Sequence, residues 1–223
     1  MEPHITDWIT SSASIIAALG VVFVAMQAYI ARESLRKTTE NIELTRKLLT
    51  ADHERSRRER ALDILGSWTR SLTVSQPSAR NLVEKFTPEE CQNLLKHKPF
   101  TISIDNEKTL EAALDNYVEC QQPKIEGDKI FLDERHLFKL GYQCMTFLNS
   151  LEIAVQGWLH SVGDEDILEQ ELSYLVKPEK NYHVLKNFRA ALGGPAAYPA
   201  IQAFVDHIEK QKSRPPERKG KVA

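Results

Sequence analysis

From Trp8 to Ala31 the chain carries no charged residue, and Arg32, Arg36 and Lys37 follow at once. A charge-free run of this length is long enough to cross a bilayer as a helix. At roughly 1.5 Å per residue it spans about 36 Å, against a hydrocarbon core of about 30 Å. Trp8 and Tyr29 stand near its two ends, where amphipathic rings favour the membrane interface. In lipid every backbone amide must find an internal partner, which dictates a helix despite the Ile and Val content. The run thus predicts a transmembrane helix over 8–31, with Arg32, Arg36 and Lys37 at the interface and the bilayer as a partner.

A cleaved signal peptide would need positive charge before the apolar run. Here Glu2 and Asp7 precede it, with no Lys or Arg. The positive-inside rule then predicts residues 1–7 outside the cell and the larger C-terminal part in the cytoplasm, a single-pass protein of the cell inner membrane. Cys91, Cys120 and Cys144 are odd in number and widely spaced, which suits thiols in a reducing compartment. Small residues at Ala13, Ser14, Ala17, Ala18 and Gly20 would let two such helices approach closely.

Residues 32–60 predict a helical stalk. Leu35, Ile42 and Leu49 recur every seven residues, with Thr38 and Thr45 between them, half of a coiled-coil seam. Two arrangements follow, a parallel oligomer or a helix packed on its own domain. Arg55, Arg57, Arg58 and Arg60 form a basic cluster broken by Glu54 and Glu59. In a straight helix Arg55 lies on the order of 35 Å past the anchor, beyond the ~8 Å Debye length of a membrane surface field. The cluster either binds nucleic-acid phosphates or forms a solvated face with local Glu–Arg pairs. Interleaved aromatics for single-strand stacking are absent, which disfavours nucleic acid as a partner.

The remainder, 61–212, is long enough for one compact domain, and the whole chain's 29 basic against 31 acidic residues give no lead about partners. Its spacing predicts an all-α bundle with at most one small hairpin. Ala61, Leu62, Leu65, Trp68 and Leu72 share one helical face, and a second helix is expected over 78–86. Thr87-Pro88-Glu89-Glu90 reads as a capping box with proline in the first turn, opening a helix that ends near Lys98-Pro99. Phe100–Ile104 alternates as a short edge strand, and 105–120 reads as a helix. Pro123 and Glu126-Gly127-Asp128 mark a hairpin or loop. The longest pattern runs from Leu137 to Leu159, a central helix over 133–161. Asp164 caps the next helix, through about Val176. A further helix is expected from Pro178, ended by Gly193-Gly194-Pro195, and a last one over 199–211. The basic tail 213–223 is expected to be disordered.

Metal and cofactor signatures are missing: there is no Cys-x-x-Cys, no His-Glu-x-x-His and no Gly-rich phosphate loop. One constellation is chemically suggestive. Asn149, Glu152 and Gln156 share a side of the central helix among Leu148, Leu151 and Val155. A carboxylate there could act as an acid or base, with Arg135, Tyr142 or Arg189 as partner, or could fix helix register as a buried pair.

The segments Phe147-Leu148-Asn149-Ser150-Leu151-Glu152, Val162-Gly163-Asp164-Glu165 and Gly193-Gly194 with Tyr198-Pro199, together with the anchor, resemble a loosely defined group of bacterial and prophage-encoded proteins of unknown function. These join one membrane helix to a cytoplasmic helical domain. The resemblance implies a membrane-acting effector of host–phage conflict. The residues alone suggest a protein-interaction or regulatory module, with a protein partner or self-association. A membrane-surface enzyme using Glu152 and Asn149, or nucleic-acid binding through the Arg cluster, is the alternative.

Overall fold

In the computed structural model, residues 5–117, 120–180 and 182–213 are described, with side chains from Leu19 onward. The basic tail expected over 213–223 lies, from 214 on, outside the described residues. The protein is mainly helical, with eight α-helices and five short strands among the described residues. The chain divides into two units, residues 1–55 and 56–223.

The first unit is the greater part of helix α1 (Ile5–Ser71). Among the described residues no helix is long and apolar enough to cross a membrane. Trp8 and the rest of 8–18, the first part of the expected anchor, lie outside the described side chains.

The second unit begins with the last four turns of α1. Residues 56–60, read from the sequence as the end of the stalk, already belong to it. The reason is a close approach. Gly163 lies so near Ala61 that an added Cβ would stand 3.0 Å from the Ala61 Cα. The Asp164 N–H donates to the Arg57 carbonyl at 3.0 Å. Ala61 and Trp68 are buried as expected, whereas Leu62 faces solvent and Ile64 packs inward instead.

Helix α2 (Ser75–Val83) begins three residues before the expected start, because Pro77 falls inside its first turn, where no amide donor is required. Helix α3 (Pro88–Leu95) opens on the expected capping box. Thr87 accepts from the Glu90 amide, and Glu90 accepts from the Thr87 amide at 2.8 Å. Strand β1 (Phe100–Ser103) is an edge strand. It pairs antiparallel with β3 (Lys129–Leu132), which also pairs with β2 (Lys124–Glu126), in the order β1-β3-β2. The hairpin turns at Gly127, whose φ of +62° suits glycine. The helix expected over 105–120 is shorter, α4 (Glu107–Ala113), because Asp115, Asn116 and Tyr117 take left-handed φ values of 53–61°.

Helix α5 (Glu134–Leu159) is the central element. Asp133 caps it, accepting from Arg135 and His136 amides at 3.0 Å. It packs against α2, α3, α6 and α8. Leu137, Leu140, Cys144, Leu148, Leu151 and Val155 form its buried stripe. Helix α6 (Glu165–Leu172) follows, with Asp164 accepting from the Ile167 amide.

The helix expected from Pro178 is corrected. Strands β4 (Val176–Lys177) and β5 (Tyr182–His183) pair antiparallel, and helix α7 is only Lys186–Ala191. Val184 and Leu185 have φ of +55° and +59°, a conformation that interrupts any helix and is costly for branched side chains. The domain therefore holds more β-structure than one hairpin. Gly193 and Gly194 stop α7, and α8 (Pro199–Lys212) buries Ile201, Phe204, Val205 and Ile208 as expected.

Candidate functional site

Four regions carry polar or apolar chemistry that the core alone does not require. The first is α1 after its undescribed opening. Leu19, Val21, Val22, Phe23, Val24, Met26, Tyr29 and Ile30 are 55–73 % exposed. Eight large apolar side chains within twelve consecutive positions cannot share one face, so the helix is apolar all round here. That pattern belongs to a helix enclosed by protein or lipid. Arg32 follows, exposed. Arg36 lies 3.0 Å from Glu33 and 3.8 Å from Glu40, and Lys37 lies 3.8 Å from Glu33.

Further along, the apolar surface narrows to a stripe. Leu35, Ile42 and Leu49 are exposed on one side. Thr38 and Thr45 turn their hydroxyls back to the Ser34 and Asn41 carbonyls at 2.8 Å, which leaves their methyl groups on that stripe.

The second region is the basic cluster. Arg57 and Arg58 face the α5–α6 loop. The Arg57 guanidinium donates to the Gly163 carbonyl at 3.4 Å and lies 3.6 Å from Glu165, while Arg58 lies 3.6 Å from Asp164. These two arginines therefore secure the end of α1 to a loop more than a hundred residues away. Arg55 and Arg60 are exposed on the same helix.

The third region is Asn149 and Glu152. Glu152 is 8 % exposed, and its two oxygens accept from the Ala200 and Ile201 amides, each at 2.9 Å. These are donors of the first turn of α8, which lack partners within that helix. Asn149 accepts from the Tyr198 hydroxyl at 3.1 Å. The pair predicted from helical spacing does act on one neighbour, the start of α8. Arg135 and Tyr142 are exposed elsewhere on α5. Gln156 is exposed as well.

The fourth region escaped sequence reasoning. The Glu84 carboxylate accepts from the His183 and Leu185 amides, each at 2.6 Å. From the other side Arg189 donates to the Val184 carbonyl at 2.9 Å, to the His183 carbonyl at 3.0 Å and to Gln202 at 2.8 Å. A carboxylate and a guanidinium thus grip the same three-residue turn, and His183 Nδ1 also meets the Glu209 carboxylate. Burial pushes the Glu84 carboxyl above its ordinary value, against the opposing pull of the two amides and Arg80. Burial likewise lowers the Arg189 guanidinium, opposed by Glu84, Asp206 and Glu152. The available signal was weak: Arg189 is a charge at an inward position of α7, Glu84 directly follows α2, and their shared target is a turn no pattern announces.

Comparison with family models, with curated proteins and with solved structures finds no match for this chain. The grouping suggested by the short motifs therefore gains nothing from relatives, and the reading rests on the residues.

Proposed function

We propose that this protein is a single-pass membrane-anchored interaction module, held in the inner membrane by the helix over 8–31, with its helical domain on the cytoplasmic side. The observation that carries the reading is the exposed apolar surface of α1 from Leu19 to Ile30. Left in water it would be a large unsatisfied apolar patch, and monomeric soluble proteins rarely expose such a surface. The charge-free sequence continues upstream to Trp8, and the basic residues Arg32, Arg36 and Lys37 follow, the order expected of a cytoplasmic flank. The stripe of Leu35, Thr38, Ile42, Thr45 and Leu49 supports a second copy of the chain as partner, since its period is that of a two-stranded seam. Confinement to a surface raises the effective concentration of such neighbours, which lets a short seam suffice.

Alkaline carbonate washing of membranes from cells expressing the full chain tests the anchor. The expected result is that the protein stays in the pellet, and that removal of residues 8–31 releases it. Release of the full chain by carbonate would overturn the reading. Ile42→Lys is expected to reduce disulfide-independent crosslinking between tagged copies while leaving the protein in the pellet.

A further inference from the structure

A concavity on the second unit gathers positive charge from three separate elements. Arg80 comes from α2, Lys85 from the residues just after it, Lys108 from α4 and Lys177 from β4. No acidic side chain lines it. The chain as a whole is slightly acidic, with a net charge of −2, so composition does not impose this clustering. Like charges gathered on one space repel each other, and the three lysines have no carboxylate in the lining to offset them, an arrangement suited to an anionic ligand.

The neutral lining is equally specific. Ser78, Asn81, Thr109 and Tyr182 add hydroxyl and amide groups that can donate to oxygen. Tyr182 and Lys177 are cross-strand neighbours in the β4–β5 ladder, which fixes them side by side. Arg80 is already oriented: its Nη2 donates to Asn81 Oδ1 at 2.9 Å, and its guanidinium lies over the Phe147 ring, 5.7 Å from the centroid. Lys85 Nζ donates to Asn106 Oδ1 at 3.1 Å. Glu84, which directly precedes Lys85, gives its oxygens to the 183–185 turn and pulls on Arg80 from behind the lining.

We propose that this concavity binds a small ligand carrying two linked phosphate groups. One phosphate brings about −1.5 to −2 of charge at neutral pH, so two linked phosphates cover the three lysines where one falls short, Arg80 being partly offset by Glu84. The space, about 540 Å³, falls within the range of small-ligand sites. Charge-assisted hydrogen bonds from Arg and Lys supply the strong contacts, and the hydroxyls set orientation. This site does not depend on the membrane reading, because it is built wholly within the second unit.

Calorimetric titration of the full chain in detergent micelles with inorganic pyrophosphate tests it. Saturable binding is expected, weakened about tenfold, or about 1.4 kcal/mol, by the Lys108→Ala/Lys177→Ala double variant. The Lys96→Ala/Lys129→Ala variant, which removes equal charge elsewhere, is expected to bind as the native protein does. Far-UV circular dichroism of both variants separates loss of binding from loss of fold. Absence of binding at millimolar pyrophosphate would overturn the proposal, as would equal weakening in the two double variants. A single-stranded RNA oligonucleotide that binds and is not displaced by pyrophosphate would replace it with nucleic-acid binding.

Discussion

Replacing Glu152 by Gln should destabilise the helical domain by about 2–4 kcal/mol. The native carboxylate accepts two backbone N–H groups at 2.9 Å while almost fully buried. Gln offers one oxygen in place of two and turns an amide NH₂ toward the other N–H, so one bond is lost and two donors face each other. A hydrogen bond to a charged group contributes about 1.5–3 kcal/mol. Loss of negative charge at the N-terminus of α8 adds about 0.3–1 kcal/mol. In a domain of this size each kcal/mol moves the unfolding midpoint by about 2–4 °C, which places the expected fall near 10 °C. Thermal and urea unfolding of the full chain in mild detergent, followed by far-UV circular dichroism, measures it. Glu152→Asp keeps the charge but shortens the reach by one methylene, and should recover part of the loss. Gln156→Ala, on the same side of α5 but exposed, should stay within about 0.5 kcal/mol. If Glu152→Gln unfolds with the native protein, the carboxylate does not hold α8 and its burial needs another cause.

Gly163→Ala should cost about 1–3 kcal/mol, because its new methyl meets the Ala61 backbone at 3.0 Å, where a helix backbone rather than a flexible side chain must shift. Gly157→Ala should cost less in the same unfolding assay, although its clash is nominally worse at 2.6 Å, since the atom it meets is the end of the flexible Ile64 side chain. The Glu84 carboxyl is raised above 4.5 in the folded protein, so its contribution to stability is full below that pH and is lost as pH rises through the folded value. The stability of the native protein relative to Glu84→Gln, read from urea midpoints, should therefore fall as pH increases from 4.5; a difference that grows would reverse the assigned sign. Burial pushes the Cys91 thiol up to about 12 and raises Cys144 as well, so at pH 8 both should resist maleimide in the native protein and react in urea, as mass spectrometry would record.

Much of this fold was legible because its helix ends are locally encoded. Thr87-Pro88-Glu90, Asp133 and Asp164 each cap the helix that follows them, and Gly193-Gly194 ends one, all through bonds spanning a few residues. The buried stripe of α5 was equally readable from its spacing. What failed was set from a distance. The region after Pro178 has helical spacing, yet Glu84 and Arg189 hold the turn at 183–185 in a left-handed path that no local preference selects. The helix expected over 105–120 stops at Ala113, where Asp115, Asn116 and Tyr117 take left-handed φ values that spacing does not announce. At the candidate site, spacing grouped Asn149 with Glu152 correctly. It could not say that their target is the start of α8, because periodicity orders one helix and is blind to its neighbour. The cationic concavity was invisible for a related reason: its four charges lie on elements separated by up to nearly a hundred positions.

The bonds that close the domain are also statements about time. Arg57 meets Gly163 across 106 residues, and Glu84 meets His183 and Leu185 across 99 and 101. At a synthesis rate of roughly 5–20 residues per second, about 5–20 s separate the emergence of each early partner from its late one. During that interval the end of α1 has no loop to dock against, and Glu84 remains a solvated carboxylate with nothing to grip. Closure of such long loops carries an entropic cost before any contact rewards it, so the domain should fold late and as a whole rather than helix by helix. The first unit of α1 therefore leaves the ribosome complete well before the second unit can acquire its shape.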